Sequence, residues 1–300
     1  MSLTSLGEFL GSDDDAPEVL PGIAGRFDGE HILVPLLTSE GPALSDQLKI
    51  ATTLGRATGA ALSVIDPVPV TERTPGTVGD AEDDTLPNWL FDGAADSGSQ
   101  PDGDFLRTGN AATGVLRVVR ANDVDTLVLP SGSHSPRLRK RIVGAIAVHA
   151  ECDIVVVNGR SGYETVPSIL LPVAGGPHSG VAADLARAIA ADCGAWIDVL
   201  HIVDEDASRR RREAANDLVD DVYRRIGRPE TTTKWVLAAD GVTEAIIEQS
   251  RYYGLTVVGA PTKGRLRQFI FGSTTHSVRT NAGSVVLSVR NNSRRPAADD

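Results

Sequence analysis

The chain is 300 residues long, about twice the usual domain length, so two domains are the first expectation. With 41% hydrophobic residues it can fill packed cores, yet no run approaches the ~18 apolar residues of a membrane span. A net charge of −11 argues against nonspecific nucleic-acid binding, which displaces counterions with a basic surface.

In chain order, residues 1–28 read as a disordered tail. The opening MSLTSLGEFLGSDDD lacks the basic start and apolar stretch of a secretory signal, so a cytoplasmic location is expected. The run His31-Ile-Leu-Val-Pro-Leu36 ends in a loop and predicts a buried parallel strand. Leu44, Leu48, Ala51 and Leu54 then share one face of a helix, and a strand follows at 61–65. Residues 69–104 are rich in Pro, Gly, Asp and Ser and predict an acidic loop insertion. Its apolar island, Trp89, Leu90 and Phe91, is expected to dock locally. Strands are predicted at 126–130 and 154–157, with Arg137-Leu-Arg-x-x-Ile142-Val-Gly144 in the connection between them.

The plan then repeats. A strand at 168–173 precedes a helix carrying Val181, Leu185, Ala188 and Ile189 on one face, and another strand spans 197–203. Residues 205–226 predict a helix with Ala215, Leu218, Val222 and Ile226 inward and the Arg209–Arg212 run outward. After a strand at 255–259, Arg265-Leu-Arg-x-x-Ile270-Phe-Gly272 echoes the earlier basic motif, and a strand follows at 285–289. Residues 291–300 read as a second tail. Strands alternating with helices require right-handed crossovers. The fold class is therefore α/β, with two Rossmann-like domains at 29–160 and 167–290. Each has a five-stranded parallel sheet with helices on both faces. Cys152 and Cys193 form no CxxC pair and flank apolar stretches, so both are expected to be buried thiols.

In such sheets ligands sit at the carboxyl ends of the strands, where strand order reverses. In the second half this selects the loops Ala174-Gly-Gly-Pro-His-Ser179 and 259–274. Gly272 and Ser273 precede a helical pattern whose first-turn N–H groups offer an anion site, and Lys263, Arg265 and Arg267 add positive charge. The alternative is that Ser273 caps a helix and the basic residues pair with surface carboxylates. Gly259-x4-Gly264-Arg265 lacks the Lys-Ser/Thr of a P-loop, and Gly175, Gly176 and Gly180 do not fit GxGxxG. The six histidines show no metal-ligand spacing, and the acidic runs 13–15 and 82–84 lack the features of a calcium loop. His178 and His276 would approach the same pocket from its two loops, and a polar lining or helix-start role is expected for them rather than catalysis.

The series ValValGlyAlaProThr…PheGlySerThr…SerValValLeuSerVal resembles the end of a universal stress protein, and the resemblance extends over 31–158 and 168–290. That family's nucleotide-binding members carry Gly-x2-Gly-x9-Gly-Ser/Thr on an adenine nucleotide alpha hydrolase-like fold. Gly259 matches the first glycine and Gly272-Ser273 the last pair. The resemblance implies an adenine nucleotide such as ATP at Val173, Ala174, Gly175, Val203, Gly259, Thr262, Lys263, Gly272, Ser273 and Thr274, with no metal assignable. Thr262 replaces the middle glycine, and Ala174 stands where ATP-binding members have aspartate. In the first half, Leu37 and Pro130 replace the aspartate and first glycine, and Ala145 the serine. Any nucleotide is thus expected in the second half. The resemblance further implies an intrachain pseudo-dimer of the two halves through their last strands, an additional homodimer being open. The AlaGlyGlyProHisSer loop is similar to universal stress domains associated with membrane transporters. Two functions remain: a stress-related or regulatory nucleotide-binding module without obligatory turnover, or a scaffold or transporter-regulating protein with degenerate pockets. Slow ATP hydrolysis has no assignable base. With only four lysines beside abundant Asp and Arg, adaptation to high salt is also expected.

Overall fold

The computed structural model describes residues 22–27, 29–37, 41–69, 102–131, 137–158, 166–260 and 284–291. They divide into two compact units, residues 28–162 and residues 163–300, the latter together with the segment before residue 28.

The first unit runs β1 (His31–Pro35), α1 (Gly41–Thr58), β2 (Ala61–Pro69), β3 (Asp102–Thr108), α2 (Ala111–Ala121), β4 (Thr126–Pro130), α3 (Arg137–His149) and β5 (Asp153–Asn158). Its strand order is β3-β2-β1-β4-β5 and every pairing is parallel. β4 and β5 are buried along their whole length, which is why they read as unbroken apolar runs rather than alternating ones. The second unit runs β6 (Ser168–Pro172), α4 (Gly176–Cys193), β7 (Trp196–Val203), α5 (Arg209–Ile226), β8 (Thr232–Ala238), α6 (Val242–Ser250), β9 (Leu255–Gly259) and β10 (Val285–Arg290). Its order is β10-β9-β6-β7-β8, again parallel. Successive residues of β7 serve opposite faces. Leu200 and Ile202 pack with Ala245 of α6, while Val203 packs with Ala215 of α5.

The duplication extends to single hydrogen bonds. Leu36 N–H donates to Ile65 O and Val173 N–H to Leu200 O, both at 2.8 Å, as β1 and β6 end. Ser131 N–H to Val157 O and Ala260 N–H to Val289 O, both 2.7 Å, do the same after β4 and β9. These pairs make Leu37 the structural counterpart of Ala174, and Pro130 that of Gly259. α1 and α4 both begin Gly-Pro, have 18 residues and stop before a left-handed glycine, Gly59 (φ 73°) and Gly194 (φ 70°).

Several expectations are corrected. Residues 22–27, expected as part of a tail, lie against α4, held by the polar contacts described below. The helix expected from Glu205 begins at Arg209, because Ser208 accepts from Arg211 N–H (3.2 Å) as N-cap while Arg212 holds the carbonyls of Glu205 and Ala207. β2 continues to Pro69, and β3 already starts at Asp102, so the expected insertion is shorter at both ends. Trp89, Leu90 and Phe91 lie outside the described residues. The buried face of α1 is Ala43, Gln47, Ile50, Ala51 and Leu54, with Leu44 and Leu48 only half-buried. Cys152 is buried, but Cys193 is exposed, because it ends α4 on the solvent side.

Candidate functional site

The carboxyl ends of β6 and β9 form the candidate site. The β6–β9 ladder stops at Leu170 opposite Thr256, and β6 turns outward to β7 while β9 turns to β10. This is the switch point of a doubly wound sheet. The chain leaves β6 through Val173 and Ala174 and enters α4 at Gly175 (φ 80°) and Gly176 (φ 77°). Two successive left-handed residues make a turn that side chains with a Cβ rarely adopt. Ala174 is exposed at the mouth, and its N–H donates to Ser179 Oγ at 3.4 Å. Ser179 in turn donates to Gly175 O at 2.8 Å, locking the turn from inside.

Of the sequence-predicted site residues, the structure brings together Val173, Ala174, Gly175 and Gly259. Val203 is buried at the end of β7 in a cluster with Ala207 and Ala215. Thr262, Lys263, Gly272, Ser273, Thr274 and His276 lie outside the described residues. Gly259 has a packing task. A Cβ there would sit 2.8 Å from the carbonyl carbon of His178 and 3.0 Å from Ser179 N, so glycine lets β9 end against the first turn of α4. His178 Nδ1 accepts from Asn291 N–H at 3.0 Å. Burial, helped by Arg290, lowers its pKa to about 4, so the ring is neutral at pH 7.

Sequence reasoning missed His201. This buried residue on β7 uses Nδ1 to donate to Val173 O at 2.7 Å, and its buried Nε2 has no partner among the described residues. Burial is the main cause that lowers its pKa; the Val173 carbonyl pulls the other way and Arg211 lowers it further. A histidine inside the apolar run Val199-Leu-His-Ile-Val203 was the available signal. Also missed was the N-terminal segment. Gly176 N–H donates to Gly22 O at 3.1 Å, and Phe27 N–H donates to Asp184 Oδ2 at 3.0 Å. Arg225 grips both carboxylate oxygens of Asp184 at 2.9 and 2.8 Å and also donates to Gly25 O. Among the described residues no group of His, Cys, Asp and Glu could hold a metal ion.

The first unit treats the same place differently. Its β1–β4 ladder stops at Leu33 opposite Leu127. Gln47, fully buried on α1, fills the notch beyond: its Nε2 donates to Pro35 O at 3.1 Å and to Val128 O at 2.9 Å. Gln47 is the seventh residue of α1, and the seventh residue of α4 is Ala182, whose methyl can make no such bridge. A helix start at Gly144-Ala145, the counterpart of Gly272-Ser273, is also absent. α3 already begins at Arg137, carried by the helical spacing of Val143, Ile146 and Ala147, and Gly144 is buried inside it. No helix-start amides are offered at Gly144.

Residues 166–290 match the profile of the universal stress protein family. Among solved structures, the chain resembles a universal stress protein from Archaeoglobus fulgidus DSM 4304 at 13% identity and TM-score 0.57, covering 89% of this chain and 98% of that one. A functionally unknown protein, PA1789 from Pseudomonas aeruginosa PAO1, gives 16% and 0.59, covering 88% and 93%. The cytoplasmic domain of a prokaryotic cation chloride cotransporter gives 13% and 0.58, covering 89% and 98%. At such identities the likeness establishes the fold. No curated protein matches the sequence. Among the described residues no helix is long and apolar enough to cross a membrane.

Proposed function

With residues 166–290 a universal stress protein domain, we propose that the chain is a regulatory module whose second unit binds an adenine nucleotide without obligatory turnover. The observation that carries this reading is the asymmetry at the two switch points. The first unit closes its notch with the Gln47 carboxamide, while the second has Ala182 there and a glycine turn at the mouth. The basic loop with Lys263 and the Gly272-Ser273-Thr274 motif follow β9 in sequence and supply the phosphate side. Equilibrium titration with ATP, ADP, AMP and cyclic AMP in molar KCl tests it. Saturable binding of at least one is expected, and Gly272→Val should abolish it. Absence of saturable binding to all four refutes the reading.

A second reading is a scaffold or transporter-regulating protein. It is favoured by Ala174, which leaves the mouth without the carboxylate that ATP-binding members have. Under that reading Gly272→Val leaves partner capture intact.

A further inference from the structure

We infer that residues 22–27 are a detachable strap that competes with the nucleotide for the first turn of α4. The inference rests on the nucleotide reading of the second unit and assigns a regulator to that site. The first turn of a helix has N–H groups without intrahelical partners, and these are what an anionic ligand uses. In α4 one of these groups is missing and another is occupied. Pro177 has no N–H, and the N–H of Ala174 just outside is directed to Ser179 Oγ. The N–H of Gly176 is taken by the carbonyl oxygen of Gly22, a neutral acceptor on an amide at the mouth that an anionic ligand would otherwise be free to use.

The contact is built into the sequence on both sides. Gly25 is left-handed (φ +75°), and a Cβ on it would lie 2.5 Å from Pro177 O. A Cβ on Gly180 would lie 2.0 Å from Ala24 O. Glycine inside a helix is unfavourable relative to alanine, so Gly180 is accounted for by the approach of the strap and not by helix formation. The fastening is mainly polar. Arg225 and Asp184 clamp Gly25 O and Phe27 N–H, and Phe27 is the one buried large side chain of the segment. Segments held by few apolar contacts belong to the low-stability end of a fold, which a ligand can displace.

Calorimetric titration of the full-length protein with ATP in molar KCl tests the inference on wild type, Gly180→Ala and Arg225→Gln. Gly180→Ala expels the strap sterically while favouring the helix; Arg225→Gln loosens the clamp without touching α4's backbone. Both should bind ATP about tenfold more tightly than wild type, and ATP should speed hydrogen exchange of residues 22–27 in wild type. Equal, saturable affinity in all three proteins overturns the strap and leaves the nucleotide reading standing. No saturable binding in any of them overturns both. If one variant does not fold, the other decides.

Discussion

Replacing Gln47 by methionine removes a buried carboxamide while nearly conserving volume. The lost groups are the two donations from Nε2, to Pro35 O at 3.1 Å and Val128 O at 2.9 Å, at a residue with no solvent exposure. A buried carbonyl stripped of its donor costs roughly 1–3 kcal/mol, so two give about 2–6 kcal/mol. Gln47 Oε1 has no partner among the described residues, and deleting that orphan returns about 1–3 kcal/mol. A methionine of matching volume adds little strain. The net expectation is one group's worth, a destabilisation of about 1–3 kcal/mol. Urea denaturation of the full chain measures it, and hydrogen exchange localises it. Exchange should accelerate in β1 and β4 and stay unchanged in β6 and β9. A variant within about 0.5 kcal/mol of wild type, or one that loosens both units equally, refutes the view that this carboxamide fastens the first notch.

Gly259→Ala should cost about 1–3 kcal/mol by pressing a methyl into the His178–Ser179 backbone, read as a lower urea midpoint; an unchanged midpoint with lost ATP binding would mean the glycine serves only ligand approach. His178 titrates at about 4 in the folded protein against an ordinary 6.5, so its contribution is complete above about pH 7 and is lost as pH falls from 6.5 to 4. After discounting for its partial exposure this is about 1–2 kcal/mol, and His178→Gln should flatten the stability profile over that window; an identical profile would refute it. The melting temperature should rise between low salt and molar KCl, because screening relieves the repulsion of an excess of 40 acidic over 29 basic residues; a melt equally high at both is the contrary result.

Strand and helix periodicity made the doubly wound plan of each half legible, because parallel strands covered on both faces are written as short apolar runs such as Thr126–Pro130. The loop expected after the first strand of the second half likewise holds the glycine turn at Gly175 and Gly176. What stayed hidden were polar residues on apolar faces. Gln47, Asp184 and His201 each interrupt a hydrophobic pattern, and each is explained by a partner distant in sequence: Val128, Arg225 and Val173. Periodicity reports which face is buried, not which carbonyl waits there. The fastening of residues 22–27 was illegible for the same reason, since its partners lie more than 150 residues away. The start of α3 was not legible, because its arginine-rich opening shows no apolar spacing until Val143, Ile146 and Ala147 are seen buried along one helical face.

Neither unit has a carboxylate where β1 and β6 end, since Leu37 and Ala174 stand there, yet the two notches differ. In the first unit the notch is filled by a side chain from its own helix, which can leave only if α1 unpacks. Its two hydrogen bonds sit on the same buried helix face as Ile50 and Leu54. In the second unit the Gly176 amide at the mouth is covered from outside, by the carbonyl of a chain segment held through one clamp and one buried phenyl ring. A side-chain plug removes a site permanently; a main-chain strap sets a threshold that a ligand of sufficient affinity can exceed. Ala174 puts no negative charge at the second mouth, so an anionic guest of the proposed kind would meet less repulsion there than beside a carboxylate. On the proposed reading, a repeat that closes one copy from within and the other from outside would keep a single site whose occupancy depends on the strap, and the titrations of Gly180→Ala and Arg225→Gln test that dependence.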